Sequence, residues 1–593
     1  MDNNSFSLGA GKVKNAKVTF KQFLTSIKKY RFSIIMSIIL AIASAVTGLF
    51  TPKILGDMTT IAFDTYPNID FVTIGQKAIL VIILFLISAI LNYAQAFILG
   101  VVSARYTRDM REMIIDKISK LPISYFDRHK FGDTLSRMTN DVDVLTTSMS
   151  QEIADISLSL TTLIGVMIIM LIISVPLSLI SFIIVPLSVV VVGKIAKFAH
   201  KYFREHQAML GILNSKIEED YAGQSIIKSN SYEPIALEDF DDTNEKLAKA
   251  SLRSQFYSSL SMPVTHIFTN LSYVAVCIVG GVLVIERAIS IGDIQAFVQY
   301  VSRFNRPITE IASSTSTIQA LLAASERIFE FLNEPEEEPD ISPAQKIEKI
   351  KGEVEFHDIN FSYLKDTPVI KGFSVKVEPG MKVAIVGPTG AGKTTIINLL
   401  MRFYEPDSGY ISIDGVPTRE MERADVRGLF GMVLQDTWLF SGTVEENLRY
   451  GRQDATLEEI KAAAKASNIH HVIESLPKGY KTMISEDSDN VSAGEKQLIT
   501  IARAMVANPP MMILDEATSN VDTRTEQLIQ DSFEKLTKGR TSFVIAHRLS
   551  TIRNSDLILV MRDGNIVEHG NHEELLKQNG FYAELYNSQF VDN

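Results

Sequence analysis

Long apolar runs confined to the first half of the chain, the phosphate-loop pattern GPTGAGKT at 387–394 and an acidic, proline-rich break between them predict two kinds of domain in one polypeptide. The expected fold class is multi-domain: an all-α polytopic membrane domain of six transmembrane helices with long cytoplasmic extensions, then an α/β nucleotide-hydrolase domain. At 593 residues the chain is too long for one ordinary domain. The expected divisions are 1–332 for the membrane domain, 333–351 for a linker and 352–593 for the soluble domain.

Runs such as IIMSIILAIASAVTGLF (34–50) and AILVIILFLISAILNYAQAFILGVV (78–102) are long enough to cross a hydrocarbon layer of about 30 Å. Crossings are expected at 32–53, 76–102, 152–174, 176–196, 262–285 and 291–312. Lys28, Lys29 and Arg31 precede the first crossing, Arg105, Arg108 and Arg111 follow the second, and Lys194, Lys197 and Lys201 follow the fourth. The connection after the first carries Asp57, Asp64 and Asp70 instead. By the positive-inside rule the amino terminus is cytoplasmic, and an even number of crossings returns the chain to that side.

Residues 103–151 and 197–261 hold many helix formers and few glycines, so the helices are expected to run on beyond the bilayer. They reverse near YFDRHKFGD (125–133) and EEDYAGQSIIKSNS (218–231), tips that either dock on a soluble motor or stand as solvated hairpins. Phe20, Phe23, Leu24 and Ile27, spaced i, i+3, i+4 and i+7 among lysines, describe a helix lying on the membrane surface. The sixth helix continues through 310–332, and NEPEEEPDISP (333–343) ends it. Gln295, Gln299, Asn305 and Arg306 on the sixth helix are polar groups that either line a water-filled path or bond neighbouring helices.

One cysteine, Cys277, excludes an intrachain disulfide and a cysteine-based metal site, and its apolar surroundings predict a buried thiol. A net charge of −11 argues against nucleic acid as a partner. The amino terminus lacks the apolar core and small-residue site of a removable signal peptide, so the first run is expected to remain as an anchor.

The phosphate loop follows the strand-like KVAIV (382–386) and precedes the helical TIINLLMRF (395–403), the context its chemistry requires. Gly387, Gly390 and Gly392 let backbone N–H groups close on a phosphate, Lys393 reaches the β- and γ-phosphates, and the Thr394 hydroxyl is placed for Mg²⁺. Thr389, Ala391 and Thr395 complete the expected nucleotide-binding stretch. MMILDE (511–516) reads as a buried parallel strand that delivers Asp515 to the metal and Glu516, as general base, to the attacking water. Tyr363 either stacks on adenine or packs in a core, and Gln435 and His547 each follow an apolar strand-like run.

Taken in order, Tyr363, GPTGAGKT, LQD (434–436), VSAGE (491–495), ILDEATSNVD (513–522) and IAHRLS (545–550) resemble the nucleotide-binding domain of ATP-binding-cassette (ABC) proteins. With six crossings and two long cytoplasmic hairpins, the whole chain resembles an ABC exporter half-transporter, specifically the intact-Walker-B subunit of bacterial heterodimeric multidrug exporters. The resemblance implies an ATP hydrolase coupled to export of hydrophobic small molecules across the cell membrane, with ATP and Mg²⁺ as cofactors. The implied partners are the lipid bilayer and a second exporter subunit. It implies adenine stacking for Tyr363, Mg²⁺ sensing for Gln435, a D-loop role for Asp522, a γ-phosphate switch for His547 and a coupling-helix contact for Glu486.

In that family the signature segment reads Leu-Ser-Gly-Gly-Gln and closes the ATP site of the opposite domain, which implies that Ser492, Gly494 and Glu495 face a partner's nucleotide. Ala493 and Glu495 depart from the pattern, and Ser492 with Glu495 also forms a capping box. The altered signature beside Glu516 points to an asymmetric pair. A soluble nucleic-acid ATPase is opposed by the crossings and the charge. An ATP-gated channel shares the architecture, and a homodimeric lipid flippase or peptide exporter is the alternative within the family.

Overall fold

The computed structural model describes residues 15–365, 367–435, 437–486, 490–515, 522–546 and 548–590. The chain divides into two compact units, one ending at Lys120 and resuming over His129–Pro335, the other formed by Leu121–Arg128 and the chain from Glu336 onward.

The first unit is helical: α1 (Ala16–Ser26), α2 (Arg31–Asp64), α3 (Phe71–Lys120), α5 (Phe131–Ser136), α6 (Val142–Ile173), α7 (Val175–Ala222), α8 (Gln224–Ser229), α9 (Glu233–Ile285) and α10 (Ile291–Leu332). The short α4 (Ile123–Arg128), between α3 and α5 in the chain, packs with the second unit. At 1.5 Å per residue α3, α7 and α9 are each about 70–80 Å long, more than twice a hydrocarbon core. Both expected reversals occur, at α4–α5 and at α8. Among the described residues, five helical stretches are long and apolar enough to cross a membrane: Ala16–Asp64, Phe71–Lys120, Phe131–Ile173, Val175–Ala222 and Glu233–Ile285. The sixth expected crossing lies on α10, whose apolar stretch is interrupted by Asp293, Arg303, Arg306 and Glu310.

Those interruptions have partners. Pro52, inside α2, has no N–H for the carbonyl of Gly48, and that carbonyl accepts from Arg303 Nη1 at 2.6 Å. One residue on, the Leu49 carbonyl accepts from the Tyr300 hydroxyl at 2.6 Å. Thus α10 repairs the defect the proline makes in α2, the condition for tolerating it in a bilayer. Further along the same seam Gly56 and Gly292 meet so closely that a Cβ on Gly56 would lie 2.2 Å from the Gly292 carbonyl oxygen. Lys53 and Asp293 pair across it at 2.5 Å. The polar groups considered for a water-filled path also bond neighbours: Gln295 accepts from Thr59, Asn305 donates to Thr269 at 2.9 Å and Arg306 donates to Glu310 at 2.7 Å. Gln299 is half-buried.

Two sequence expectations change. Cys277 is exposed on α9, because the apolar run around it is itself a helix surface. The apolar stripe is divided: Phe23 of α1 and Ile27 in the turn after it are buried, with Phe23 edge-on to Tyr106 at 6.3 Å, while Phe20 and Leu24 remain exposed.

The second unit is α/β. Strands β1 (Val354–Leu364), β2 (Thr367–Val377), β4 (Ser408–Ile413) and β5 (Val416–Pro417) form an antiparallel sheet in the order β2-β1-β4-β5. The main sheet orders β12 (Asn565–Gly570), β11 (Leu557–Arg562), β3 (Lys382–Val386), β10 (Thr541–Ile545), β9 (Met511–Asp515) and β6 (Phe430–Val433). All its pairings are parallel except that of β12. Both faces are covered, so β10 is buried along its whole length and β9 up to Asp515. The two strands β7 (Gly442–Thr443) and β8 (Met483–Ile484) form a separate ribbon. The helices are α11 (Lys393–Leu400), α12 (Arg423–Gly428), α13 (Val444–Arg449), α14 (Leu457–Ala466), α15 (His470–Ser475), α16 (Ala493–Ala507) and α17 (Thr523–Thr537), followed by shorter C-terminal ones.

The expected linker is held firmly where it enters this unit. Asp340 accepts from Arg423 Nη1 at 2.7 Å and from the Arg423 backbone N–H at 3.0 Å, and Glu337 accepts from Arg427 at 3.3 Å. The acidic composition that reads as a tether is matched to an arginine surface.

Candidate nucleotide site

Parallel strands put their carboxyl ends on one edge, and the site lies there. Ile385 of β3 pairs with Ile545 of β10, which pairs with Asp515 of β9, so the loop after β3 and the Asp515 carboxylate share that edge. Gln435 follows β6 by two residues and is exposed. Glu516 and His547 lie outside the described residues.

The loop turns into α11 through backbone conformations that disfavour a side chain. Gly392 has φ 98°, and a Cβ there would lie 2.8 Å from Ile370 Cδ1. Gly390, φ 84°, is open on its outer side, and Thr389 beside it is exposed. Gly387 begins the turn and Ala391 is buried beneath it. Lys393 is 9% exposed and donates to the carbonyls of Gly387 at 2.8 Å and Pro388 at 3.1 Å, arching over the loop. Burial pushes its ammonium below the ordinary lysine value, and the Asp515 carboxylate opposes that shift. A lysine and a carboxylate thus share one sheet edge, with β10 between the strands that lead to them.

At the start of α11 the two threonines diverge. Thr394 is exposed, whereas Thr395 is buried and accepts from the Tyr363 hydroxyl at 3.3 Å. Thr395 is thus a packing and hydrogen-bonding residue, a role that spacing alone does not separate from that of Thr394. Tyr363 also accepts from Asn398 Nδ2 at 3.2 Å, and its ring meets Phe361 and Tyr404 at centroid distances of 4.9 and 5.0 Å, nearly perpendicular to both. It is an anchored, half-buried aromatic beside the phosphate-loop helix. A divalent cation would be held by hard oxygen donors, and the exposed Thr394 hydroxyl, the Asp515 carboxylate and the Gln435 amide oxygen are of that kind.

The signature segment caps its own helix. Ser492 accepts from the Glu495 N–H at 3.4 Å, and the Glu495 carboxylate accepts from the Ser492 N–H at 2.8 Å and hydroxyl at 2.9 Å. Gly494 is buried in the first turn of α16. Asp522 caps α17, accepting from the N–H groups of Arg524 and Thr525 at 3.0 Å each. Its carboxyl is held below the usual range, first by bonding with Thr525. Glu486 accepts from the Leu439 N–H at 3.1 Å and pairs with Lys496 at 3.3 Å, tying α16 to the segment after Gln435.

Sequence reading missed the surroundings of Tyr363. Tyr404 follows α11 in the run MRFYE, and its hydroxyl donates to Asp127 of α4, while Arg128 of α4 donates to the Tyr363 carbonyl at 3.0 Å. The signal available in the sequence was only an aromatic pair, Phe403 and Tyr404, flanked by charges.

Residues 34–308 match the family model described as the ABC transporter transmembrane region, and 370–519 match the one described as ABC transporter. The chain is 46% identical over 518 residues to a Mycobacterium bovis "Fatty acid ABC transporter ATP-binding/permease protein", covering 87% of this chain and 82% of that one. It is 34% identical over 584 residues to the Bacillus subtilis "Putative multidrug export ATP-binding/permease protein YgaD" (96% and 99% covered). It is also 34% identical over 548 residues to an "ATP-dependent lipid A-core flippase" of Syntrophus aciditrophicus (91% of each). This chain belongs to the ABC transporters, as a multi-pass exporter half-transporter that binds and hydrolyses ATP and acts as a dimer in the membrane.

Proposed function

We propose that the protein exports hydrophobic or amphipathic compounds of the multidrug type across the cytoplasmic membrane by alternating access, as one half of a heterodimer with both termini in the cytoplasm. The observation that carries the asymmetric reading is the signature: Ala493 stands at a glycine position, and the Glu495 carboxylate is engaged with Ser492 at 2.8 and 2.9 Å beside the place a phosphate would occupy. This chain keeps both Asp515 and Glu516, so its own phosphate loop, closed by a partner's unaltered signature, forms the hydrolytic site. VSAGE closes a weaker one.

In that reading Tyr363 stacks on adenine, Lys393 holds the β- and γ-phosphates, and the backbone N–H groups around Gly390 and Gly392 enclose them. Thr394, Asp515 and Gln435 would hold Mg²⁺, which neutralises phosphate charge when bound. Glu516 takes a proton from the attacking water, His547 contacts the γ-phosphate and Asp522 lies at the closing interface. Closure of the two cassettes favours an outward-open cavity, and loss of the γ-phosphate contacts resets it. Phe126 in the first tip and Tyr221 in the second carry the closure to the membrane helices.

A second reading, a homodimer moving lipids, is favoured by relatives named for fatty acid transport and lipid A-core flipping. The test is to purify the chain alone and co-expressed with its genomic neighbour, and to measure complex mass, ATPase rate and dye efflux with and without Glu516→Gln. The heterodimer reading expects full ATPase only in the mixed complex, and a fall of at least about a hundredfold with Glu516→Gln while ATP stays bound. Full activity at twice the mass of this chain contradicts it.

A further inference from the structure

Tyr404 has no role in the chemistry above, yet it stands where three parts of the second unit meet. Its ring lies edge-on to Tyr363 at 5.0 Å and to Phe361 at 5.5 Å, and its hydroxyl donates to Asp127 of α4. It follows α11 by four residues, in a turn tied down by its neighbours. Arg402, with φ 52° and a side chain 6% exposed, donates to the Met421 carbonyl at 2.7 Å and to Glu405 at 2.6 Å. A non-glycine residue in that conformation persists where its surroundings over-determine it. The Arg427 guanidinium lies over the Phe403 ring at 5.3 Å. The turn therefore moves with α11, and Tyr404 moves with the turn. Burial and the Asp127 carboxylate both push the Tyr404 phenol upward, so it remains a donor to that carboxylate at neutral pH. Arg128 makes the second tie, to the Tyr363 carbonyl.

The geometry points to Tyr404 as the positioning residue that relays nucleotide occupancy to α4: adenine on Tyr363 and phosphate at the head of α11 both reach Asp127 through this one side chain. The inference rests on the proposed placement of the base on Tyr363. A tyrosine suits the task because the ring reports the base side and the hydroxyl grips the helix. Phenylalanine would keep the first function and lose the second.

The test is amide hydrogen exchange on the full-length complex with and without ATP and Mg²⁺, with ATPase kinetics in parallel. In the parent protein ATP is expected to slow exchange in both 387–395 and 121–130. Tyr404→Phe and Asp127→Asn should each leave ATPase kcat and KM within twofold and keep protection of 387–395, while the response at 121–130 falls at least fivefold. The double variant should be no worse than either single one. A full response at 121–130 in Tyr404→Phe overturns the relay, as does additive loss in the double variant. Tyr363→Ala separates the two readings. An unchanged KM for ATP there overturns base stacking alone, and Tyr404→Phe still judges the path through α11.

Discussion

Two helix starts in the second unit look alike in sequence and differ in what they leave free. The start of α11 is preceded by glycines in left-handed conformations, its lysine donates to the carbonyls of Gly387 and Pro388, and the Ala391 N–H turns back to the Pro388 carbonyl, so no side chain caps it. The start of α16 is closed on itself, with serine and glutamate answering each other's backbone. The capping boxes at Thr443 with Glu446, Thr456 with Glu459 and Asn571 with Glu574 are built the same way. On the proposed reading the first start takes an anion, and the second holds a carboxylate of its own that an incoming phosphate must tolerate.

The largest effects should fall on the open start. Gly392→Ala forces an L residue to φ 98° and against Ile370 and should abolish nucleotide binding, read by equilibrium binding of a fluorescent ATP analogue. Lys393→Ala should weaken ATP about ten- to a hundredfold, the range for a hydrogen bond to a charged group.

The same reasoning about unsatisfied groups applies in the membrane unit, with the next largest effect. Arg303→Leu strands the Gly48 carbonyl that Pro52 left without a donor and should cost about 1–3 kcal/mol, read as a lower melting temperature in detergent. Pro52→Ala in that background restores a helical N–H and should recover part of the loss, whereas Pro52→Ala alone should gain little.

At the closed start, Glu495→Gln removes the charge and keeps the cap geometry. ATPase of the complex should rise a few-fold if VSAGE restrains the opposite site, and unchanged turnover would make the glutamate a cap only. The smallest effect belongs to a box with no ligand role. Glu459, exposed and bonded first by the Thr456 N–H, then by Arg452, has its carboxyl lowered to about 2 from 4.5. A carboxyl depressed on folding stabilises above its unfolded value and loses that contribution as pH falls through its folded value. The Glu459 contribution is thus complete above about pH 4.5 and gone near pH 2, and Glu459→Gln should flatten the acid limb of the melting curve.

Much of this was legible from the chain. Apolar runs of bilayer length announced the membrane helices, and the glycines and Lys393 announced the cradle, because both signals are local and each residue's chemistry stands in its own neighbourhood. The division of work between Thr394 and Thr395 was not, since it depends on Tyr363, 32 residues away, meeting one hydroxyl and not the other. Nor was the repair of Pro52 by Arg303, whose guanidinium bonds a backbone oxygen 255 positions earlier. The acidic 333–343 segment looked like a tether because nothing local reveals the arginines of α12 that bind it.

The claim on which everything else depends is that this α16 start meets a nucleotide held by another cassette. Amide exchange of residues 490–498 in the Glu516→Gln complex, with and without ATP and Mg²⁺, tests it most directly. Protection of 490–498 should rise at least tenfold together with that of 387–395, and only when two cassettes are present. Protection of the phosphate loop with 490–498 unchanged would contradict it.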